Sequence, residues 1–171
     1  WKTYLGRPET DMSRRLAMNV LGIGLAAVHH HEDALSVQEA ELSMKRRLGA
    51  TENSILVVQS NIAITSGDLG HHEKALSMQR DVYSGRLKLF GEEHEDTLRA
   101  ANNYAAFLAK LERDKEAKAL LRKSIPVARR VLGASHDITI RMSRNYAKAL
   151  YDDPDAMLDD LREAVTTLEG T

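Results

Sequence analysis

Asn19, Asn61, Asn103 and Asn145 stand 42 residues apart. A carboxamide offers two donor hydrogens and an acceptor oxygen, so a row of them at one helical position can bond a neighbouring helix or its own backbone. Arg99, Lys110, Arg141, Arg144 and Lys148 place five cations in the second half of the chain. They suit an acidic partner segment, or else form a solvated surface. His29, His30, His31, His71 and His72 cluster at two places about one repeat length apart. Imidazoles brought together there would collect a transition metal, but no i, i+4 histidine pair accompanies them, and solvated loops are the expectation. Neither His31-Glu32 nor His94-Glu95 continues into HExxH, and no P-loop lysine or GxSxG elbow occurs. No enzyme is expected, and no cofactor or metal.

These groups sit in a chain of 171 residues with 24 basic and 25 acidic side chains and 43% apolar residues, the profile of one soluble domain. It has no cysteine, which excludes disulfide scaffolds, zinc-thiolate sites and thiol nucleophiles. A net charge of −1 gives no general attraction to nucleic acid or anionic membrane. The cations lie mainly in two units rather than along a continuous track, which argues against a nucleic-acid reader. The longest nearly uncharged apolar run, Val20 to Val28, is about half of the ~20 residues needed to span a bilayer. No membrane insertion is expected. The first residue is Trp1, and the chain reads as a segment of a longer, cytoplasmic protein.

The 42-residue spacing extends beyond the asparagines. Gly49, Gly91 and Gly133 share it, preceded by Leu48, Phe90 and Leu132, as do His94 and His136, Thr97 and Thr139, and Leu108 and Leu150. Leu98, Ala101, Ala105 and Leu108 follow helical periodicity. After a polar break at Glu112 to Asp114, so do Ala117, Leu121, Ile125, Ala128 and Leu132. Each unit is therefore predicted to be a helical hairpin, with the glycine just past its second helix and Asp96 or Asp137 capping the next first helix. His94 and His136 are expected to pack or cap at the turns, and Tyr104 and Tyr146 to belong to the core. A lone hairpin cannot bury both apolar faces, so the units must stack into a superhelix with a concave face. The fold predicted is all-α, a right-handed α-solenoid of four tandem two-helix units at 7–49, 50–91, 92–133 and 134–171. Trp1 to Gly6 is read as the tail of a preceding unit. Gly22 and Gly24 inside a helix make the first unit the softest, at about 1 kcal/mol each relative to alanine. Pro126, inside the run from Lys115 to Leu132, is expected to kink that helix without breaking it.

The unit resembles the 42-residue tetratricopeptide repeat of kinesin light chains rather than the ~34-residue form. The residues that carry the likeness are NNYAAFL at Asn102 to Leu108, the Glu116-Ala117 pair opening a second helix, and the ending Leu132, Gly133, His136, Thr139. The resemblance covers essentially the whole chain. It implies a concave groove lined by the first helices, in which Asn19, Asn61, Asn103 and Asn145, with the adjacent Asn102, bond the backbone of a bound peptide. Arg99, Asn103, Ala106 and Lys110 fall on one stripe, roughly opposite the apolar stripe, at about 100° per residue. The equivalent stripes bring in Met18 and Ala26 from the first unit, Val57 and Ile64 from the second, and Arg141, Arg144 and Lys148 from the fourth, partly offset by Asp152. The expected partner is a protein segment joining an aromatic or large apolar residue to acidic ones, similar to the peptides that kinesin light chain repeats accept. The expected role is an adaptor or scaffold module. The alternative is an architectural subunit that braces a larger complex through its convex face and ends.

Overall fold

The computed structural model describes residues 2–4, 6–151, 158, 162, 165 and 166. A 3-10 turn at Lys2–Tyr4 stands where a helical remnant was expected, and seven α-helices follow. They are α1 (Met12–Ala27), α2 (His31–Arg47), α3 (Glu52–Asp68), α4 (His72–Phe90), α5 (Glu95–Lys110), α6 (Asp114–Leu132) and α7 (Asp137–Tyr151). No strand occurs among the described residues. The expected eighth helix falls in a stretch of which only residues 158, 162, 165 and 166, all helical, are described. By its internal contacts the chain divides within α4 into two compact parts, residues 1–78 and 79–171.

In the first part α1 packs on α2, and α2 on α3. Leu42, Val58 and Ile62 form a buried cluster, with Leu35, Ile55 and Met78 packed around it. Gly22 has a purpose that its helix propensity hides. It is buried against α2, where a Cβ would lie 3.1 Å from Gln38 Cγ, so the missing side chain lets the two helices approach. A Cβ on Gly24 would meet nothing within 4 Å.

In the second part α5 packs on α6, α6 on α7, and α5 touches α7. Leu98, Ala101, Ala105 and Leu108 of α5 are buried, as are Ala117, Leu121, Ile125 and Ala128 of α6, which is the face their periodicity predicted. Full burial of a leucine such as Leu108 or Leu121 contributes roughly 1.5–3 kcal/mol relative to exposure. Helix α6 runs unbroken through Pro126, since its apolar face stays in phase on both sides of the proline.

The turns follow the predicted chemistry with one exchange of roles. Gly49, Gly91 and Gly133 adopt φ of 63°, 80° and 95°, the left-handed side where glycine has no Cβ penalty. Asp96 and Asp137, expected as N-caps, lie one or two residues later, inside the first turns of α5 and α7. The histidines cap instead: His94 Nδ1 accepts from the Asp96 amide at 3.2 Å, and His136 Nδ1 from the Ile138 amide at 3.3 Å. The Asp96 carboxylate is thereby left to face Arg86, 3.3 Å away.

Candidate functional site

The expected binding residues lie on α1 and α3 in the first part and on α5 and α7 in the second. On α1, Asn19 is half-buried, and its amide donates to the Glu41 carboxylate of α2 at 3.4 and 3.5 Å. Glu41 is itself buried, 3.1 Å from Lys45 Nζ. Lys45 also donates to the Ser54 carbonyl in the first turn of α3, at 3.4 Å. Asn19 thus anchors a chain of polar contacts from α1 through α2 to α3. A buried carboxylate needs such partners, because leaving it unpaired would cost several kcal/mol. The sequence carried a signal for Glu41, which falls on the α2 face of Ala34, Gln38 and Leu42 at helical intervals.

Met18, expected as an apolar groove contact, is buried on the core side of α1 with Gly22. The packing of α2 claims that face. On α3, Val57 and Asn61 are half-buried and Ile64 is exposed.

In the second part Arg99, Lys110, Arg141, Arg144 and Lys148 are all exposed. Arg99 pairs with Glu95 and Arg141 with Asp137, each one helical turn away on its own helix. Such exposed pairs leave most of the cation available to solvent or a partner. Asn103 is half-buried on α5. Asn102, expected beside it as a binding residue, turns inward: it is 8% exposed, and its carbonyl oxygen accepts from the Asn145 amide of α7 at 2.9 Å. Asn19 and Asn145 therefore hold neighbouring helices. Asn61 and Asn103 make no such bond among the described residues.

The tyrosines divide. Tyr146 is buried, whereas half-buried Tyr104 stacks on Tyr83 with ring centres 6.2 Å apart. Burial pushes the Tyr83 hydroxyl above its ordinary pKa of 10.0, opposed by Lys123 and reinforced by Glu92. A second cation-to-carbonyl link, unexpected from the sequence, joins α4 to α5. Arg86 is buried and donates to the Asp96 carbonyl at 3.0 Å, while Thr97 Oγ1 donates back to the Arg86 carbonyl at 3.3 Å. Ser54 and Asp96 are one repeat apart, so Lys45 and Arg86 clamp the same turn in successive units.

The histidines gather at the starts of α2 and α4 and in the turns before them, but not as a ligand set. His29 and His31 meet edge-on at 5.5 Å, His31 lies 3.9 Å from Asp68, and His30 lies 3.7 Å from Asp33. Among the described residues no three histidine or carboxylate groups converge on a point suited to a metal ion. None of the described helices is long and apolar enough to cross a membrane.

Paired helices repeating every 42 residues, joined by glycine turns, define a tandem helical-repeat protein of the α-solenoid class. Tetratricopeptide-repeat family models match residues 55–96 and 96–169. The chain belongs to the tetratricopeptide-repeat proteins, and its units resemble those of kinesin light chains. A putative kinesin light chain from Podosopora anserina with nearly identical TPR-like repeats superposes with a TM-score of 0.77 at 17% identity, over 98% of this chain and 79% of that one. BtubC (BKLC) from P. vanneervenii superposes with a TM-score of 0.76 at 15% identity, over 91% of this chain. The present chain spans 61% of that protein's length. No curated protein sequence matches the chain.

Proposed function

We propose that the chain is a peptide-binding adaptor module whose first helices take an extended acidic segment of a partner protein. Repeats of this class mediate protein–protein interaction or scaffolding, and their fold is typically non-catalytic. The observation that carries the reading is that Arg99 and Lys110 of α5 and Arg141, Arg144 and Lys148 of α7 are all exposed, on two helices that touch, with Asn103 of α5 half-buried. Carboxylates on a partner would meet cations there, while Asn103 bonds its backbone without reading its side chains. In the first part Val57 and Ile64 of α3 offer contact to a large apolar or aromatic residue, with Asn61 in the role of Asn103. Asn145, held by Asn102, and Asn19, held by Glu41, act chiefly as links between helices.

The test is titration of the protein with an aromatic-acidic peptide at two salt concentrations. Arg141→Glu with Arg144→Glu should weaken binding by at least ~1 kcal/mol and flatten its salt dependence. Asn103→Ala should weaken peptides of any side-chain sequence. Equal binding by the double glutamate variant at low salt would reduce the basic face to a solvated surface. The architectural reading, to which the inward bonds of Asn19 and Asn145 lend support, would then replace this one.

A further inference from the structure

The first helices of the two compact parts are capped by chemically different side chains. In the first part, Asp11 caps α1 by accepting from the Arg14 amide at 2.9 Å, and Thr51 caps α3 by accepting from the Ser54 amide at 3.3 Å. In the second part the acceptor is an imidazole nitrogen in both first helices: His94 Nδ1 for the Asp96 amide of α5, and His136 Nδ1 for the Ile138 amide of α7. A hydroxyl does not titrate near neutrality, and the Asp11 carboxyl is held below its ordinary range, chiefly by the Arg14 amide. Histidine is the side chain that ordinarily changes charge between about pH 5 and 8.

The bond dictates the protonation state it needs. Nδ1 accepts only while it carries no proton, so the capping ring is neutral with its hydrogen on Nε2. Protonation turns Nδ1 into a donor facing the amide N–H, ends the bond and places a cation at the positive end of the helix dipole. Solvent reaches both rings, His94 being exposed and His136 half-buried. Neighbouring carboxylates give an imidazolium little in return, because each already has a cation. Around His94, Glu92 and Glu93 of its own turn pair with Lys123 and Arg130 of α6, Glu95 with Arg99 of α5, and Asp96 with Arg86 of α4. Beside His136, Asp137 pairs with Arg141 of α7, and the Arg129 carbonyl of α6 accepts from the Gly133 amide in the same turn. Phe90 of α4 stacks on His94 with ring centres 4.4 Å apart and adds no charge.

We propose that His94 and His136 form a paired, acid-sensitive catch on α5 and α7. The uncapped turn takes up a proton that the capped turn excludes, so acid favours uncapping. In α5 the turn that loosens is the joint to α4, since it holds the Asp96 carbonyl and the Thr97 hydroxyl that bond to Arg86. Glu95 and Asp137, the partners of Arg99 and Arg141, lie in the same two turns, so the catch bears on the basic residues of both helices. It stands or falls independently of peptide binding.

The test is hydrogen exchange of the whole chain, followed by NMR at about pH 7.5 and about pH 5.5, which bracket the imidazole range. Expressed as protection factors, the rates are freed of the pH dependence of exchange chemistry itself. The informative amides are Asp96 and Ile138, which the imidazoles cap, and Leu98 and Ile140, which donate to the His94 and His136 carbonyls at 3.1 and 3.0 Å. Ser54 and Ile55, bonded to Thr51 in the same way, are the control. Protection of the four amides is expected to fall about three- to tenfold at the lower pH, the range for losing one N-cap, with the controls unchanged. Combining His94→Asn with His136→Asn, whose carboxamides cap without titrating, should abolish the fall. Constant protection of the four amides in the unsubstituted chain would overturn the proposal. So would a fall that the asparagine variant shares, which would assign the titration to another group, or one equally large at Ser54 and Ile55, which would make it general unfolding.

Discussion

Arg86 gives the most demanding test of how these units are joined. The residue is 5% exposed, and its guanidinium has the Asp96 carbonyl at 3.0 Å and the Asp96 carboxylate at 3.3 Å. Burial pulls its pKa below the ordinary arginine range, and Asp96 opposes the shift, which is the signature of a cation whose desolvation is only partly compensated. Removing one partner of a fully buried pair costs about 3–5 kcal/mol, whereas replacing the charge by an apolar side chain of similar volume is often neutral. The Asp96 side chain is 35% exposed, so water can take over part of its role. Asp96→Asn is therefore expected to cost only about 1–2 kcal/mol. Arg86→Met should cost less than Asp96→Asn, because it keeps the packed volume and removes the charge that needs a partner. Arg86→Ala should cost more than Arg86→Met, because it also leaves a cavity beside α5. The Thr97 hydroxyl bonds to the backbone carbonyl of Arg86, so that contact survives in all three variants and the comparison isolates the guanidinium. Urea titration followed by circular dichroism, with amide exchange at Thr97 and Leu98 to localise the effect, measures the order of the three. If Arg86→Met is more damaging than Asp96→Asn by over about 1 kcal/mol, the pair is a net source of stability and the desolvation argument is wrong.

Three further outcomes follow from local geometry. Gly24→Ala should stabilise α1 by about 0.5–1 kcal/mol, since its Cβ meets open space, while Gly22→Ala should gain less or lose, because its Cβ presses on Gln38 at 3.1 Å; thermal melts of the two variants give the comparison. Gly133, at φ 95° and ψ 157°, lies in a region essentially reserved for glycine, so Gly133→Ala should cost on the order of 1–3 kcal/mol by denaturant titration although its Cβ has room. Asp11 caps α1 by accepting from the Arg14 amide at 2.9 Å, which, with Arg7, holds its pKa below the ordinary 3.8. Because the folded value is the lower one, its contribution is present above pH 3.8 and fades as pH falls through the folded value. Amide exchange in the first turn of α1 should accelerate over that acid range, and Asp11→Asn should remove the pH dependence.

The repeat and its hairpins were legible in the chain itself, because hairpin geometry is set locally. A glycine at each turn, an apolar stripe at 3.6-residue spacing and a polar break recur every 42 residues, and Leu98 to Leu108 and Ala117 to Ala128 are buried as that pattern requires. The direction in which individual polar residues point was not legible. A first helix in a stack packs against two second helices, its own and the one before it, so a single apolar stripe understates how much of its surface is claimed. Met18 proved to be buried where α2 packs on α1, and Asn102 where α7 lies against α5. The repeated asparagines differ for the same reason. Asn19 meets Glu41 across 22 residues of sequence and Asn145 meets Asn102 across 43, partners that exist only once α2 lies against α1 and α7 against α5. Spacing could place these carboxamides on a common helical position. Only the packing of neighbouring helices decided which of them were already engaged.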